Sequence, residues 1–148
     1  MNQVQYEIRQ TTMDDVSAIA ELTAQLGYSS SEFEIQQRLS TLLNSQDHVI
    51  YVSLVSSGKI VGWIHVYVAN RVESGSFAEI GGFVVSASFR RKGIGKALLK
   101  AAENWTVQNE LTRLRVRSNS KRKDAKEFYS NMGFSISKQQ RVFDKKIG

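Results

Sequence analysis

Residues 90–96 read Arg-Arg-Lys-Gly-Ile-Gly-Lys, and they lie between an apolar run, residues 80–85, and a long amphipathic stretch. This order predicts a strand, a glycine loop and the start of a helix. Two glycines allow a tight turn that brings consecutive backbone N–H groups towards one anion, and the dipole of the following helix adds positive potential. The stretch therefore predicts a binding loop for a phosphate or diphosphate.

The glycine spacing differs from that of two common phosphate-binding loops. A P-loop has four residues between its glycines and then Lys with Ser or Thr, and the dinucleotide fingerprint has a third glycine. Neither pattern fits, because Gly95 is followed by Lys96 and Ala97. The order Arg90-x-x-Gly93-x-Gly95 instead resembles the acetyl-coenzyme A loop of the GNAT superfamily of N-acetyltransferases.

Other segments of the chain resemble motifs of this superfamily, and they occur in the same order along the sequence. Residues 77–85 resemble its fourth strand, and residues 114–118 resemble its fifth strand. Asn119, Tyr129 and the pair Gly133-Phe134 then match its asparagine, its tyrosine-bearing helix and its Gly-Phe turn. The resemblance covers nearly the whole chain, and there is some general similarity to the aminoglycoside 6′-type branch.

Hydrophobic periodicity predicts one mixed α/β domain over residues 1–148. The resemblance implies a GNAT-like fold, with a central twisted mixed sheet of about seven strands that splays between strands 4 and 5 and about four flanking helices. The predicted strands cover residues 4–9, 49–55, 60–69, 77–85, 113–118, 134–137 and 141–145. The predicted helices begin after Thr12 and after Ser30 or Ser31, and cover residues 93–109 and 123–131.

Composition narrows the class of protein. The chain has 148 residues, 41% of them hydrophobic, which suits one compact domain with one core. It contains no run of about 18 apolar residues and no signal-peptide pattern, so we expect a cytoplasmic protein with no membrane partner. The absence of cysteine excludes disulfides, thiolate metal sites and a cysteine nucleophile.

Charge is distributed unevenly along the chain. Residues 1–89 carry 4 basic and 9 acidic side chains, a net charge of −5, whereas residues 90–148 carry 16 and 5, a net charge of +11. A basic half is expected where coenzyme A places its phosphates, and an acidic half suits an acceptor that bears an amine. Solvated surface charge explains the same numbers equally well.

The resemblance implies a catalytic pair, Glu79 and Tyr129. Glu79 would remove a proton from the acceptor amine, and we place it on the same strand face as Phe83. Tyr129 would donate a proton to the thiolate of the leaving coenzyme. The alternatives are that Glu79 only pairs with an arginine or holds the acceptor ammonium, and that Tyr129 is a core residue.

The predicted coenzyme site combines a strand, a loop and a later helix. Gly81 and Gly82 indicate either a bulge that opens the sheet or a simple strand kink. Asn119 binds the pantetheine arm or merely ends a strand, and the basic residues 121–123 reach a phosphate or form a solvated turn. The residues predicted to bind acetyl-CoA are Phe83, Val84, Val85, Arg90, Arg91, Lys92, Gly93, Ile94, Gly95, Lys96, Asn119 and Tyr129.

Acceptor binding is assigned to Tyr28, His65 and Glu79. Tyr28 is a candidate lid over the acceptor on the basis of the family architecture alone. His65 either lines the acceptor pocket, acts as an auxiliary base or is an ordinary sheet histidine with satisfied hydrogen bonds. No metal site is expected, because His48 and His65 have no further ligand at metal-binding spacing.

These observations predict an N-acetyltransferase that moves the acetyl group of acetyl-CoA to a primary amine by direct attack in a ternary complex. A small cationic amine is the expected acceptor, and a homodimer is possible. One alternative is a non-catalytic acetyl-CoA sensor, and another is a protein or peptide acetyltransferase. Nucleic acid is not an expected partner, because the alternating arginines at positions 113, 115 and 117 lack interleaved aromatic residues.

Overall fold

The computed structural model describes residues 5–148, which form two compact units divided between Val116 and Arg117. The first unit contains five strands and three helices: β1 (Tyr6–Gln10), α1 (Val16–Gln25), α2 (Glu32–Leu43), β2 (His48–Val55), β3 (Ile60–Arg71), β4 (Gly75–Val85), α3 (Ile94–Gln108) and β5 (Leu114–Val116). The second unit contains one helix, α4 (Lys123–Asn131). Val4, where the first strand was predicted to begin, lies outside the described residues.

The first unit is built on one mixed sheet. Its strand order is β1-β2-β3-β4-β5, in which β4 and β5 are parallel and the other neighbours are antiparallel. The β4–β5 ladder ends at the pair Ile80 and Val116, whereas β4 continues to Val85. β5 is only three residues long, so β4 extends beyond its parallel neighbour.

The prediction of about seven strands was wrong, because the sheet of the described residues has five. Residues 134–148 contain no strand, although two strands were predicted there. The apolar side chains that suggested them are exposed, with Ile136 60%, Val142 75% and Phe143 87% accessible. A short alternating segment forms a stable strand only when one of its faces is covered, and this alternation has no buried side.

Capping boxes begin the 3₁₀ turn that leads into α1 and begin α2 itself. The Thr12 side chain accepts a hydrogen bond from the N–H of Asp14 at the start of a short 3₁₀ turn, Met13–Asp15, that leads into α1. The Ser31 side chain accepts from the N–H of Glu34 at the start of α2, and the Glu34 carboxylate accepts from the N–H of Ser31. These contacts satisfy N–H groups that the first turn of a helix leaves unpaired.

A buried ion pair joins β1 to the start of α1. Arg9 donates two hydrogen bonds, of 2.8 and 2.9 Å, to the carboxylate of Asp15. The carboxylate also accepts from the Thr11 hydroxyl and from the N–H of Thr12. The bond from Arg9 is the largest cause that lowers the pKa of Asp15 from 3.8 to about 2, while burial acts in the opposite direction.

The β3–β4 hairpin is longer than predicted. Residues 70–76 were expected to form a polar connection, yet β3 extends to Arg71 and β4 begins at Gly75. The turn between them is therefore short, residues 72–74, and Asn70, Arg71 and Ser76 lie on strands. The predicted β2–β3 turn over residues 56–59 is confirmed, with Gly58 at a φ of 87°.

A β-bulge interrupts the β3–β4 ladder at Gly81. His65 pairs with Gly82 and Val66 pairs with Ile80, so Gly81 has no opposite residue. A Cβ atom at Gly81 would lie 2.8 Å from the His65 ring, and one at Gly82 would lie 2.5 Å from the Trp63 ring. Only glycine fits against these rings, and the bulge that the Gly-Gly pair predicted is confirmed.

The two faces of the sheet are covered by different helices. A cluster that contains Ile19 of α1 and Leu39 of α2 packs with Val52 of β2 and the partly buried Trp63. On the other face, Leu98 of α3 lies over Gly62, where a Cβ atom would be 3.0 Å from its Cδ1. The fully buried residues of α3 are Ile94, Leu98, Leu99 and Ala102. Among residues 5–148, no helix combines the length and the apolarity needed to cross a membrane.

Asp15→Asn should lower the free energy of unfolding by about 2 kcal/mol at pH 7, since the lowered pKa of Asp15 corresponds to that amount. The ion pair contributes fully above about pH 3.8 and is lost as the pH falls towards 2. The difference between wild type and variant should therefore shrink below pH 4 in urea titrations at several pH values. Asp14→Asn, at the exposed neighbouring position, is the control. A penalty that does not change with pH would contradict this account.

Gly82→Ala should destabilise the fold by about 1–3 kcal/mol, because the added methyl group overlaps the Trp63 ring. Combining it with Trp63→Leu should remove most of that penalty, because the smaller side chain vacates the space. Urea unfolding of both single variants and the double variant measures this coupling. An equal cost of Gly82→Ala in the Trp63 and Leu backgrounds would refute the proposed contact.

Candidate active site

The loop before α3 has the tight backbone that its glycines predicted. Arg91 and Gly93 adopt positive φ values of 61° and 83°, and Gly93 is the N-cap of α3. The N–H of Ala97 bonds to the carbonyl of Gly93 at 3.0 Å, and no side chain caps this end of the helix. Helix geometry leaves the three preceding N–H groups, residues 94–96, without acceptors inside the helix. Such a terminus is suited to an anion.

The side chains of the loop differ in exposure. Arg91, Lys92 and Lys96 are exposed, so their charges are available to a ligand in solution. Ile94 is fully buried in the core, and only its backbone is suited to ligand contact. The Arg90 Nε atom donates a hydrogen bond to the carbonyl of Val85 at 3.2 Å. This bond ties the loop to the end of β4.

The last part of β4 runs from the bulge to this loop. It includes Phe83, Val84 and Val85, three of the residues that were predicted to bind acetyl-CoA. Val84 is buried, whereas Phe83 and Val85 are half-buried. All three lie beyond the last β4–β5 pair, Ile80 and Val116. This segment is therefore the part of β4 that is not held in the β5 ladder.

Glu79 occupies the middle of β4 and is only 5% exposed. It lies opposite Tyr67 in the β3–β4 ladder, and the Tyr67 hydroxyl donates a hydrogen bond to its Oε2 atom. That bond fixes the orientation of the carboxylate. The sequence identified Glu79 but not Tyr67, because the pairing depends on the register between two strands.

The prediction that Glu79 and Phe83 share a strand face was wrong. Glu79 pairs with Tyr67, whereas Phe83 pairs with Ile64. Directly opposed residues in a ladder lie on the same face, and Tyr67 and Ile64 are three residues apart, which places them on opposite faces. The unpaired Gly81 reverses the alternation along β4. Glu79 thus lies on the face that α1 and α2 cover, and Phe83 on the other.

Two histidines lie beside Tyr67 on that face. His48 Nδ1 and His65 Nε2 are 2.9 Å apart, within hydrogen-bonding distance, and the Tyr67 ring centroid lies 5.3 Å from that of His48 and 5.6 Å from that of His65. Burial first, and then repulsion by His48, lowers the pKa of His65 to about 4. His65 is therefore neutral at pH 7 with one ring nitrogen engaged, which agrees with the ordinary sheet histidine among the alternatives above.

No group of three His, Cys, Asp or Glu side chains in the described part of the chain is arranged to hold a metal ion. Tyr28 lies between α1 and α2 and is 68% exposed. Its role as a lid remains a prediction.

In the second unit, Tyr129 lies on α4 between two other aromatic rings. Its ring makes edge contacts with Phe128 and Phe134, at centroid distances of 5.3 and 5.5 Å. Burial raises the pKa of Tyr129 above 10, and the nearby Arg122 opposes that rise. The hydroxyl is therefore protonated at neutral pH, as a proton donor must be.

Asn119 forms a turn ahead of α4. Its Oδ1 atom accepts a hydrogen bond of 2.9 Å from the N–H of Lys121, and its carbonyl accepts one of 3.0 Å from the N–H of Arg122. This is the local role that an asparagine commonly has at the end of a strand. Binding of the pantetheine arm by Asn119 stays a prediction.

Comparison with known proteins agrees with this geometry. An aminoglycoside N(6′)-acetyltransferase type 1 of Stenotrophomonas maltophilia is 30% identical to this chain over 104 residues. The match covers 67% of this chain and 66% of the relative, so it spans slightly less than two thirds of the relative's length. AAC(6′)-Iy, solved in complex with the bisubstrate analogue CoA-S-monomethyl-acetylneamine, superposes with a TM-score of 0.85 at 16% identity, over 97% of this chain and 99% of that chain.

Glucosamine-6-phosphate N-acetyltransferase from Arabidopsis thaliana superposes with a TM-score of 0.84 at 23% identity, over 96% of this chain and 99% of that chain. Both structures share the fold described above. The profile of the Acetyltransferase (GNAT) family matches residues 13–134, which include the loop, the bulged strand and α4. The chain therefore belongs to the GNAT family of acetyltransferases.

Proposed function

We propose that this protein is an acetyl-CoA-dependent N-acetyltransferase that acts on a primary amine of a small molecule. The observation that carries the proposal is the uncapped N-terminus of α3 behind the Arg90–Lys96 loop, in a chain of this family. The free N–H groups of the first helical turn bind the diphosphate of the coenzyme, and Arg91, Lys92 and Lys96 add positive charge.

The pantetheine arm is proposed to lie along residues 83–85 of β4. Backbone groups two residues apart point the same way, so Phe83 and Val85 present theirs to one side. The arm then extends the sheet as an added strand beyond the end of the β5 ladder. A backbone N–H near Phe83 is proposed to polarise the thioester carbonyl and to bind the oxyanion formed during attack.

The acceptor must lose a proton before it attacks, because an alkylammonium has a pKa of about 10. Glu79 is the proposed base, acting directly or through water. The Tyr67 hydroxyl holds its carboxylate on the face covered by α1 and α2. His65 is a weaker candidate, because its Nε2 atom lies within hydrogen-bonding distance of His48.

The neutral amine then attacks the thioester carbonyl, and the carbon–sulfur bond breaks as the tetrahedral intermediate collapses. The electron pair leaves with sulfur, and Tyr129 is proposed to donate the proton that converts the thiolate to a thiol. A covalent acetyl-enzyme is not needed in this scheme. The chain has no cysteine to form one.

The class of acceptor rests on weaker support. The 30% identical relative acts on aminoglycosides by its name, which supports a small-molecule amine as the acceptor. Turnover with any amine would exclude the alternative of a non-catalytic sensor. Activity on peptide amines but not on small ones would favour the protein acetyltransferase.

Removing either proton-transfer group should reduce turnover while acetyl-CoA still binds. Glu79→Gln and Tyr129→Phe should each lower kcat by about 10²–10⁴-fold, the usual contribution of general acid–base catalysis. Free thiol release with a panel of amines measures kcat, and calorimetry measures acetyl-CoA affinity. Glu103→Gln, an equivalent change on α3, is the control. Wild-type rates in both active-site variants would reject the assigned roles.

Gly93→Ala should weaken acetyl-CoA binding by about tenfold or more, because alanine disfavours the left-handed backbone that forms the loop. Gly58→Ala is a matched control, since Gly58 has nearly the same φ, 87°, in the β2–β3 turn. Both variants should lose similar stability in urea unfolding. A selective loss of acetyl-CoA affinity in Gly93→Ala supports the loop assignment, and an equal affinity in both variants contradicts it.

A further inference from the structure

Three arginine side chains surround one buried aromatic ring on β4. Phe77 is fully buried, and the guanidinium carbons of Arg71, Arg113 and Arg115 lie 5.7, 4.5 and 4.3 Å from its ring centroid. We call these three side chains the arginine cluster. Cation–π attraction to the ring holds each guanidinium group in place.

The arginine cluster lies beside Glu79. Phe77 precedes Glu79 by two residues on β4, and Arg115 is the partner of Glu79 in the β4–β5 ladder. Residues two apart along a strand, and residues opposed in a ladder, share a face. The Cα atoms of Phe77 and Glu79 are therefore roughly 7 Å apart on the same face.

The arginine cluster carries three positive charges beside the single carboxylate of Glu79, the ladder partner of Arg115. Arg113 and Arg115 contact the same ring, so their guanidinium carbons lie within about 9 Å of each other, a distance at which salt only partly screens repulsion. None of the three takes part in the ion pairs or hydrogen bonds of residues 5–148. Arg71 and Arg113 are also exposed, and Arg115 is half-buried. An anion bound here would relieve the repulsion.

We propose that the arginine cluster binds a phosphate or carboxylate group of the same acceptor whose amine meets Glu79, a step that rests on the proposed function. Planar guanidinium groups bind both anions through paired hydrogen bonds. Because the arginine cluster and Glu79 lie on one face of β4, the arrangement suits a small acceptor that carries both an amine and an anion, such as an amino sugar phosphate or an amino acid. A polycation would bring further positive charge against the arginine cluster.

Matched pairs of acceptors test this assignment in the full-length wild-type protein. Thiol release at saturating acetyl-CoA is compared for glucosamine 6-phosphate against glucosamine, for phenylalanine against its carboxamide, and for the polycation neamine. At least one anionic member should have a kcat/KM about tenfold or more above that of its neutral counterpart. The pair that shows the preference identifies the anion. Equal rates within both pairs, or a preference for neamine, would overturn the inference.

Substitution of the arginine cluster separates binding of the anion from catalysis. The double variant Arg113→Gln/Arg115→Gln should raise KM for the anionic acceptor about tenfold. The kcat, the rate with the neutral counterpart and the KM for acetyl-CoA should stay close to wild type. Arg38→Gln on α2 is the control, and thermal unfolding checks that the variants fold. A preference for the anion that survives in the folded double variant would contradict the proposal.

A binding measurement distinguishes failure of this inference from failure of the proposed function. If no amine is acetylated, the proposed function fails, and calorimetry with glucosamine 6-phosphate and N-acetylphenylalanine still probes the arginine cluster. Binding of either anion that is lost in the double variant supports the site. Acetylation of neutral amines alone, without binding of either anion, would uphold the enzyme and overturn the site.

Discussion

The bulge at Gly81 is the constraint on which the rest of the sheet depends. One residue without a partner reverses the alternation of β4, so Glu79 lies on the α1–α2 face while Phe83 lies on the α3 face. The rings of Trp63 and His65 occupy the space that side chains at Gly82 and Gly81 would need. A strand without the bulge would place the side chains of Glu79 and Phe83 on one face.

The two halves of β4 have different neighbours in the sheet. Its first half is held on both sides, by β3 and by β5, and it carries the buried Glu79 and Phe77. Its second half continues past the β5 ladder and ends at the loop, where Arg90 bonds to the Val85 carbonyl. The first half of β4 is thus fixed between two strands, and the second half is the part along which we propose that the ligand adds to the sheet.

Local patterns predicted most of this architecture. The capping residues Thr12 and Ser31, the turn at Gly58 and the glycines before α3 all act within a few residues, so their effects are visible in the sequence. Contacts that depend on register were missed, among them the bond from Tyr67 to Glu79. The two C-terminal strands were wrong because alternation alone does not supply a partner for a strand.

The net charge of each half of the sequence does not predict which charges surround a given site in the folded protein. The acidic first half suggested a site for a cationic acceptor, yet Arg115, the partner of Glu79 in the β4–β5 ladder, is cationic. Arg71 comes from the acidic half and Arg115 from the basic half, and the β3–β4–β5 ladders bring both to Phe77. Coulomb energy depends on distance in space. Near Phe77, the three guanidinium groups therefore contribute more to the local electrostatic potential than a net charge that is spread over many distant residues.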